Sequence, residues 1–129
     1  MGKITYEQIT KELSLGRWPY SGAITYVFTH DVSMTDTMDI KFTNANPCQL
    51  VNKLKTEIGK NIWICGGAEV ARQLISSNMI DTYHLAVIPV LLGNGIRLFG
   101  TTDRKIKLEM VGTKEYNGII EMVYSRRNI

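Results

Sequence analysis

Residues 61–75 read Asn-Ile-Trp-Ile-Cys-Gly-Gly-Ala-Glu-Val-Ala-Arg-Gln-Leu-Ile, and this stretch decides the fold that the sequence predicts. The run at 62–65 is short, apolar and rich in β-branched and aromatic residues, which is typical of a strand buried on both faces. After Gly66 and Gly67, apolar residues recur at the spacing of a helix, at Val70, Ala71, Leu74 and Ile75. The stretch therefore predicts a strand, a double-glycine turn and a helix.

The double-glycine turn would leave the first backbone N–H groups of the following helix unobstructed. Those groups have no partner within the helix, and the helix dipole places partial positive charge on them. A phosphate or pyrophosphate is the ligand that such a helix start favours. The two glycines could equally serve only to let the helix pack closely against the strand, and the spacing alone leaves both interpretations open.

The composition is that of an ordinary globular domain. The chain has 129 residues, 44% of them hydrophobic and 21% charged, which suits one domain, residues 1–129, with one core. No apolar run approaches the roughly 20 residues that cross a bilayer. The first residues do not resemble a signal peptide, so we expect a cytoplasmic protein with no membrane contact.

Charge and cysteine content give little support to nucleic-acid or metal binding. The net charge is only +3, and the basic pair Arg126-Arg127 lies near a chain end, where such charges are usually solvated. The two cysteines and two histidines form none of the spacings that bind metals, so we expect no metal site. A nucleic-acid partner is likewise not expected.

A second helix start with a neighbouring glycine lies at the beginning of the chain. Residues 5–13 predict a helix in which Thr5 is the N-cap and Gln8 completes a capping box, with Ile9 and Leu13 on the apolar stripe. Gly2 and Lys3 precede it. A hydroxyl, a cation and free N–H groups together suit a phosphate. The alternative is a plain capped helix with a solvated lysine.

Further strands and one helix follow before the double-glycine stretch. Residues 23–29 predict a strand that ends at the polar residues Thr29, His30 and Asp31, at the end of a strand where ligands bind in open α/β sheets. Residues 40–43 predict a short strand. Asn46 and Pro47 predict a helix start, and Gly59 its end. The buried face of that helix would be Leu50, Val51, Leu54 and Ile58.

The last third of the chain predicts a strand, a glycine-rich loop and a hairpin. The strand covers 81–89 and is followed by Gly93, Gly95 and Arg97, which predict either a loop for an anionic or polar substrate or a wide surface turn. Residues 106–116 and 119–126 alternate around Asn117-Gly118, the strongest short signal for a hairpin. The order of elements predicts an α/β fold with a mostly parallel sheet, helices on both faces and a closing antiparallel hairpin.

Three segments resemble those of a known family. Residues 1–9 are similar to the Gly-Arg/Lys-x-Thr segment of dihydrofolate reductases, and 62–69 to their Gly-Gly segment. Residues 85–99, with Leu-Leu-Gly-Asn-Gly, resemble more closely the reductase domain of the bifunctional riboflavin-biosynthesis deaminase-reductase. The three segments occur in the family's order and span the chain.

The resemblance implies a dihydrofolate-reductase-like three-layer fold, NADPH as the cofactor and a homodimer. By position, Gly2, Lys3 and Thr5 would contact the cofactor phosphates, and Thr29 and His30 would lie near the adenosine 2′-phosphate. The pyrophosphate would be covered by Gly66, Gly67, Ala68 and Glu69. The substrate side would hold Gly93, Gly95 and Arg97.

The chain departs from the family pattern in one large respect. Family members begin with a strand, a loop with the substrate-side acid and a helix, and this sequence lacks all of them. We therefore expect either a shortened form or a gap that a partner chain covers by strand exchange or edge pairing.

The function implied is NADPH-dependent reduction of a small-molecule C=N or C=O substrate of the pterin or pyrimidine type. Glu69, Asp81 and Glu121 are candidate proton donors by residue type alone. The alternative is a non-catalytic nucleotide-binding or oligomerising remnant of such a reductase, and a phosphate-binding domain without redox chemistry ranks last.

Overall fold

The computed structural model describes residues 1–127 and places them in an α/β fold with two sheets. One sheet is the parallel pair β1-β2, and the other is antiparallel in the order β3-β5-β4. The elements in chain order are α1 (Lys3–Gln8), a π-helical turn (Ile9–Leu13), β1 (Thr25–Phe28), β2 (Ile40–Thr43), α2 (Pro47–Thr56), α3 (Ala68–Ser76), β3 (Thr82–Val87), β4 (Leu108–Tyr116) and β5 (Ile119–Arg126). The α/β class, the parallel strands and the closing hairpin are therefore confirmed.

The predicted strand at 62–65 is wrong for the described residues, since this segment pairs with no strand of residues 1–127. Its burial also differs from the prediction: Ile64 packs against the core, but Trp63 is 68% exposed. A strand needs backbone partners along its edges. Without this strand, the expected single, mostly parallel sheet is present as two smaller sheets.

The edges of the two sheets pair with backbone other than the 62–65 segment. On one edge of the β1-β2 sheet, Met1 and Gly2 pair with β1. The Met1 amine donates to the Tyr26 carbonyl at 2.9 Å, and the Phe28 N–H donates to the Met1 carbonyl at 2.9 Å. In the other sheet β3 pairs with β5 alone.

The core lies between α2 and α3. Val51 of α2 packs with Val70 and Leu74 of α3, and Leu74 is only 1% exposed. Partly buried side chains from the sheet, from the 62–65 segment and from the end of α3 close this cluster: Phe28, Cys48, Ile64, Met79 and Ile80. The helical spacing of apolar residues after the double glycine is thus confirmed.

The first helix begins earlier than predicted. Gly2 is the N-cap, no side chain caps the helix, and Thr5 lies within the first turn, so the predicted capping box is wrong. The reason is that Gly2 is held extended beside Phe28, which fixes the helix start at Lys3. The helix then widens to a π turn, where Thr10 Oγ1 donates to the Tyr6 carbonyl and Ser14 N–H donates to the Ile9 carbonyl. Leu13 is 78% exposed, so its predicted burial is wrong.

The second helix begins as predicted and ends sooner. Asn46 caps it by accepting hydrogen bonds from the N–H groups of Cys48 and Gln49, and Pro47 occupies the first turn. It ends at Thr56 because Glu57 adopts an extended backbone. Ile58, predicted on the buried face, is therefore fully exposed.

The predicted hairpin turn is confirmed, and a residue of positive φ also closes α3. Asn78 adopts a positive φ of 54°, and the N–H groups of Asn78 and Met79 donate to the last carbonyls of α3. Asn117 and Gly118 both have positive φ, which is the conformation that a two-residue hairpin turn requires.

Candidate functional site

The two glycine segments predicted from the sequence lie against each other. A Cβ atom on Gly67 would lie 3.3 Å from the Gly2 backbone nitrogen and 3.6 Å from Thr5 Oγ1. The starts of α1 and α3 therefore converge, although more than 60 residues separate them in the sequence. We call Gly2, Thr5, Gly66 and Gly67 the glycine junction.

The glycine junction is open on one side and crowded on the other. A Cβ atom on Gly66 would meet nothing within 4 Å, whereas one on Gly67 would press on backbone. Both residues have positive φ, at 100° and 84°, which glycine adopts without strain. Gly67 is the N-cap of α3, and no side chain occupies the cap. The N–H groups at the start of α3 therefore have no side-chain cap, an arrangement that in general favours an anionic ligand.

Lys3 extends from the junction to the end of β1. Its Nζ donates to Asp31 Oδ2 at 3.0 Å and lies 3.9 Å from Glu7 Oε1. Asp31 Oδ1 accepts from the N–H and Oγ of Ser33, at 2.9 and 2.6 Å. These Ser33 hydrogen bonds, followed by the one from Lys3, lower the pKa of Asp31 to about 2. The cation predicted for a phosphate is therefore already paired with a carboxylate.

Thr29 and His30 line a cleft of 320 Å³ at the ends of β1 and β2. The Thr29 hydroxyl oxygen accepts from the Asp31 N–H at 3.0 Å, and His30 is exposed. We call this the strand-end cleft, and its lining is Thr29, His30, Asp31, Val32, Met34, Phe42, Thr43 and Asn44. The structure thus places Thr29 and His30 next to Asp31, the partner of Lys3.

Ala68 and Glu69 form the first turn of α3, but the Glu69 carboxylate faces its own helix. Arg72 donates to both oxygens of Glu69, at 3.1 and 2.6 Å, and Gln73 donates to Oε1. The hydrogen bonds from Arg72 lower the pKa of Glu69. A carboxylate that is kept ionised in this way is a poor proton donor.

The predicted substrate-side residues lie in an exposed loop. Gly93, Gly95 and Arg97 are all exposed, and none of them lines either of the two clefts described here. Leu98 and Phe99, which follow them directly, line a second, larger cleft that lies between residues 60–66 and β3. The loop therefore borders that cleft. The loop residues that line it are two apolar ones that the sequence did not predict to be functional.

The larger cleft has a volume of 920 Å³ and lies between residues 60–66 and β3. We call it the central cleft. Its walls are mostly apolar and include Trp63, Leu74 and Tyr83. The buried Tyr83 hydroxyl has no hydrogen-bond partner among the described residues, and burial raises the pKa of Tyr83.

Aromatic side chains connect the two clefts, a feature that the sequence did not predict because the residues are far apart in the chain. Successive ring centroids lie 5.3, 5.5, 5.3 and 5.2 Å apart. Cys65 Sγ lies 3.5 Å from Tyr20 Oη in the same row. The row runs Phe42, Tyr6, Trp18, Tyr20 and Trp63.

The other two candidate proton donors also have basic neighbours. Asp81 lies 3.2 Å from Arg126 Nη2 and 3.5 Å from Lys55 Nζ, and Glu121 lies 3.6 Å from His84 Nδ1. Asp81 also lines the central cleft. Within residues 1–127 no group of three or more His, Cys, Asp or Glu side chains could hold a metal ion. No helix in that part of the chain is long and apolar enough to cross a membrane.

Comparison with known proteins identifies the family. The profile of the RibD C-terminal domain matches residues 15–120, most of the chain. The chain belongs to the RibD C-terminal domain family. The resemblance to the reductase domain of the riboflavin-biosynthesis deaminase-reductase, inferred from its three segments, is thereby confirmed.

Relatives of this RibD C-terminal domain occur in Bacillus subtilis (strain 168). The uncharacterized protein YwjB is 34% identical over 126 residues, which are 98% of this chain and 71% of YwjB. The uncharacterized protein YyaP is 38% identical over 100 residues, 77% of this chain and 53% of YyaP.

Solved structures share the fold of this RibD C-terminal domain. A Shewanella sp. PV-4 protein described as a riboflavin biosynthesis protein has a TM-score of 0.81 and 19% identity, over 99% of this chain and 72% of that one. A pyrimidine reductase-like protein from Corynebacterium diphtheriae has a TM-score of 0.56 and 24% identity, over 70% of this chain and 39% of that one. At these identities the likeness concerns the fold.

Proposed function

We propose that this RibD C-terminal domain is an NADPH-dependent reductase whose cofactor pyrophosphate lies at the glycine junction. The observation that carries the proposal is the convergence of Gly67 on Gly2 and Thr5, which leaves an uncapped helix start beside an open glycine. Family membership supports a reductase-like activity. NADPH would supply a hydride for the substrate's C=N or C=O bond.

The residues of the junction fit a pyrophosphate through backbone groups. The first N–H groups of α3 would donate to its oxygens, and Gly66 leaves room for close approach. Gly67 cannot carry a side chain without displacing Gly2. Thr5 would add a hydroxyl donor from α1. Binding would thus depend on shape and backbone dipoles more than on charged side chains.

We propose a pterin-type or pyrimidine-type substrate, as in 5-amino-6-(5-phosphoribosylamino)uracil reduction or dihydrofolate reduction. The names of the two similar structures, a riboflavin biosynthesis protein and a pyrimidine reductase-like protein, support this class. The exposed Trp63 ring on the wall of the central cleft could stack on a flat heterocycle.

The test is a fluorescence titration with NADPH of the purified chain and of Gly67→Val. We expect saturable binding that weakens more than about tenfold in the variant, because the valine side chain would press on Gly2 and Thr5 and distort the junction. Gly16→Val is the matched control, since Gly16 also has positive φ but would meet nothing within 4 Å. Equal losses in both variants, or no loss in Gly67→Val, would contradict the proposal.

A non-catalytic nucleotide-binding or oligomerising module is the second candidate. This candidate is favoured because each of the three candidate proton donors, Glu69, Asp81 and Glu121, lies beside a basic side chain. A carboxylate with a basic neighbour is a poor proton donor. NADPH binding without oxidation of NADPH in the presence of pterin and pyrimidine substrates would favour this module. Substrate-dependent oxidation of NADPH would exclude it.

We also propose the three-layer dihydrofolate-reductase-like layout, with helices on both faces of the sheet layer. Within residues 1–127 β3 pairs on one side only, with β5, so its other edge is open to a strand of a partner chain. Amide exchange in β3 that slows as the chain concentration rises would support this pairing, and exchange independent of concentration would contradict it. The homodimer and the cytoplasmic location stay predictions, and sedimentation analysis tests the first.

A further inference from the structure

The strand-end cleft contains a charged residue, Asp31, that could affect whether the chain prefers NADH or NADPH. The carboxyl ends of two parallel strands, β1 and β2, form this cleft, and ligands of α/β proteins commonly bind at that end of a sheet. It adjoins the glycine junction through Lys3, whose backbone follows Gly2 and whose Nζ reaches Asp31. A ligand held at the junction would therefore extend into this cleft.

Asp31 is the one permanently charged residue among the eight that line the cleft. Its nearest cation is Lys3, at 3.0 Å, and Glu7 lies 3.9 Å from the same Nζ. Lys3 is thus shared by two carboxylates, and Glu7 also lies 3.7 Å from Lys11 Nζ, so Lys3 is already paired with carboxylates in the absence of a ligand. Because the pKa of Asp31 is about 2, its carboxylate stays ionised at any pH used for an assay.

The remaining polar side chains of the cleft are the imidazole of His30, the hydroxyls of Thr29 and Thr43 and the amide of Asn44. The Thr29 and Thr43 hydroxyl oxygens accept from the N–H groups of Asp31 and Ala45, which leaves their O–H groups free to donate. Asp31 accepts three hydrogen bonds, two at Oδ1 and one at Oδ2. Since a carboxylate offers about four acceptor sites, one is left for a ligand hydroxyl.

We propose that Asp31 is a specificity-determining residue of this cleft. Its carboxylate favours the binding of a free ribose hydroxyl and disfavours the binding of a ribose 2′-phosphate. The inference rests on the proposed function. A phosphate would have to displace Asp31 from Lys3 and then lie beside a like charge. A ribose hydroxyl can instead donate to the free acceptor site of Asp31, as acidic residues do in NAD sites of other folds. The chain accordingly binds NADH about as well as NADPH.

Binding titrations with NADH and NADPH test this inference on the wild-type chain and on Asp31→Asn. We expect the two wild-type Kd values to agree within about threefold. In Asp31→Asn the NADPH affinity should rise about tenfold, since Lys3 is released for the phosphate, while the NADH affinity changes less than about twofold. Asp31→Ser should give the same shift in preference and serves as the second neutral variant.

Two further variants serve as controls. Asp103→Asn makes the same change in net charge at an exposed residue outside the cleft and should leave both affinities unchanged. Lys3→Ala combined with Asp31→Asn should remove the gain for NADPH, because the cation that the phosphate would use is absent. Circular dichroism checks that each variant is folded.

The outcomes separate this inference from the proposed function. If both dinucleotides bind and neither Asp31 variant changes their ratio, the role of Asp31 is wrong and the proposed function stands. A wild-type preference for NADPH above about threefold also overturns it. If neither dinucleotide binds the folded wild-type chain or its variants, the proposed function fails and the inference fails with it.

Discussion

Eight of the nine buried apolar side chains among the described residues lie in residues 1–76, and only Tyr83 lies in 82–126. The first region, the parallel half, joins β1, β2 and the three helices through contacts between distant parts of the chain. The second region, the antiparallel half, consists of β3, β4 and β5, which pair mainly through a two-residue turn and backbone ladders. The parallel half depends on packing, and the antiparallel half depends on local backbone geometry.

The candidate site follows the same division. The glycine junction and the strand-end cleft are both built from the parallel half, at the starts of its helices and the ends of its strands. The antiparallel half contributes to the central cleft through Tyr83, His84 and Leu85, and through the adjoining loop. Substitutions confined to one half therefore test the proposed cofactor site separately from the rest of the fold.

The largest expected effect comes from removing packing in the parallel half. Leu74→Ala should lower the free energy of unfolding by about 2–5 kcal/mol, because Leu74 is 1% exposed at the contact of α2 and α3. Denaturant titration measures the loss. Leu13→Ala is the control and should change stability by less than about 0.5 kcal/mol, since Leu13 is 78% exposed. Similar losses in both variants would contradict the core described here.

A smaller effect is expected from straining the hairpin turn of the antiparallel half. Gly118→Ala should cost about 1–2 kcal/mol because Gly118 has a φ of 79°, which L-residues seldom adopt. Amide hydrogen exchange should accelerate in β4 and β5 and stay unchanged in α2 and α3. Gly59→Ala, at an exposed glycine without positive φ, is the control. Equal acceleration in both halves would show that they open as one unit.

The smallest effect concerns one helix end in the parallel half. Asn46→Ala should cost about 1 kcal/mol, since the Asn46 side chain accepts from two N–H groups at the start of α2. Thermal unfolding measures it, with the exposed Asn61→Ala as the control. A loss above about 3 kcal/mol would mean that Asn46 has a role beyond capping.

Local signals predicted the closing hairpin and the start of α2 correctly. Asn117-Gly118 specifies its own turn, and Asn46-Pro47 specifies a helix start, because each acts on neighbouring backbone. The 62–65 run was predicted as a strand from its composition. Strand formation also needs backbone partners from other parts of the chain, and composition does not show whether such partners are present. Capping at Thr5 failed for a similar reason, since pairing of Gly2 with distant Phe28 fixes the helix start.

The candidate site was predicted in its parts but not in its charges. The glycines at 2, 66 and 67 were found because each precedes a helix, and the structure brings them together. The Lys3–Asp31 pair was missed, because its members are 28 residues apart and nothing in the local sequence joins them. The aromatic row was missed for the same reason.

Mapping the binding site shows whether the glycine junction of the parallel half binds a nicotinamide dinucleotide. Backbone amide NMR spectra of the purified chain, recorded during an NADPH titration, report each N–H group separately. We expect the largest saturable shifts at residues 2–5 and 66–69, with β4 and β5 unaffected. Shifts confined to the antiparallel half, or no saturable shift in a folded chain, would contradict it.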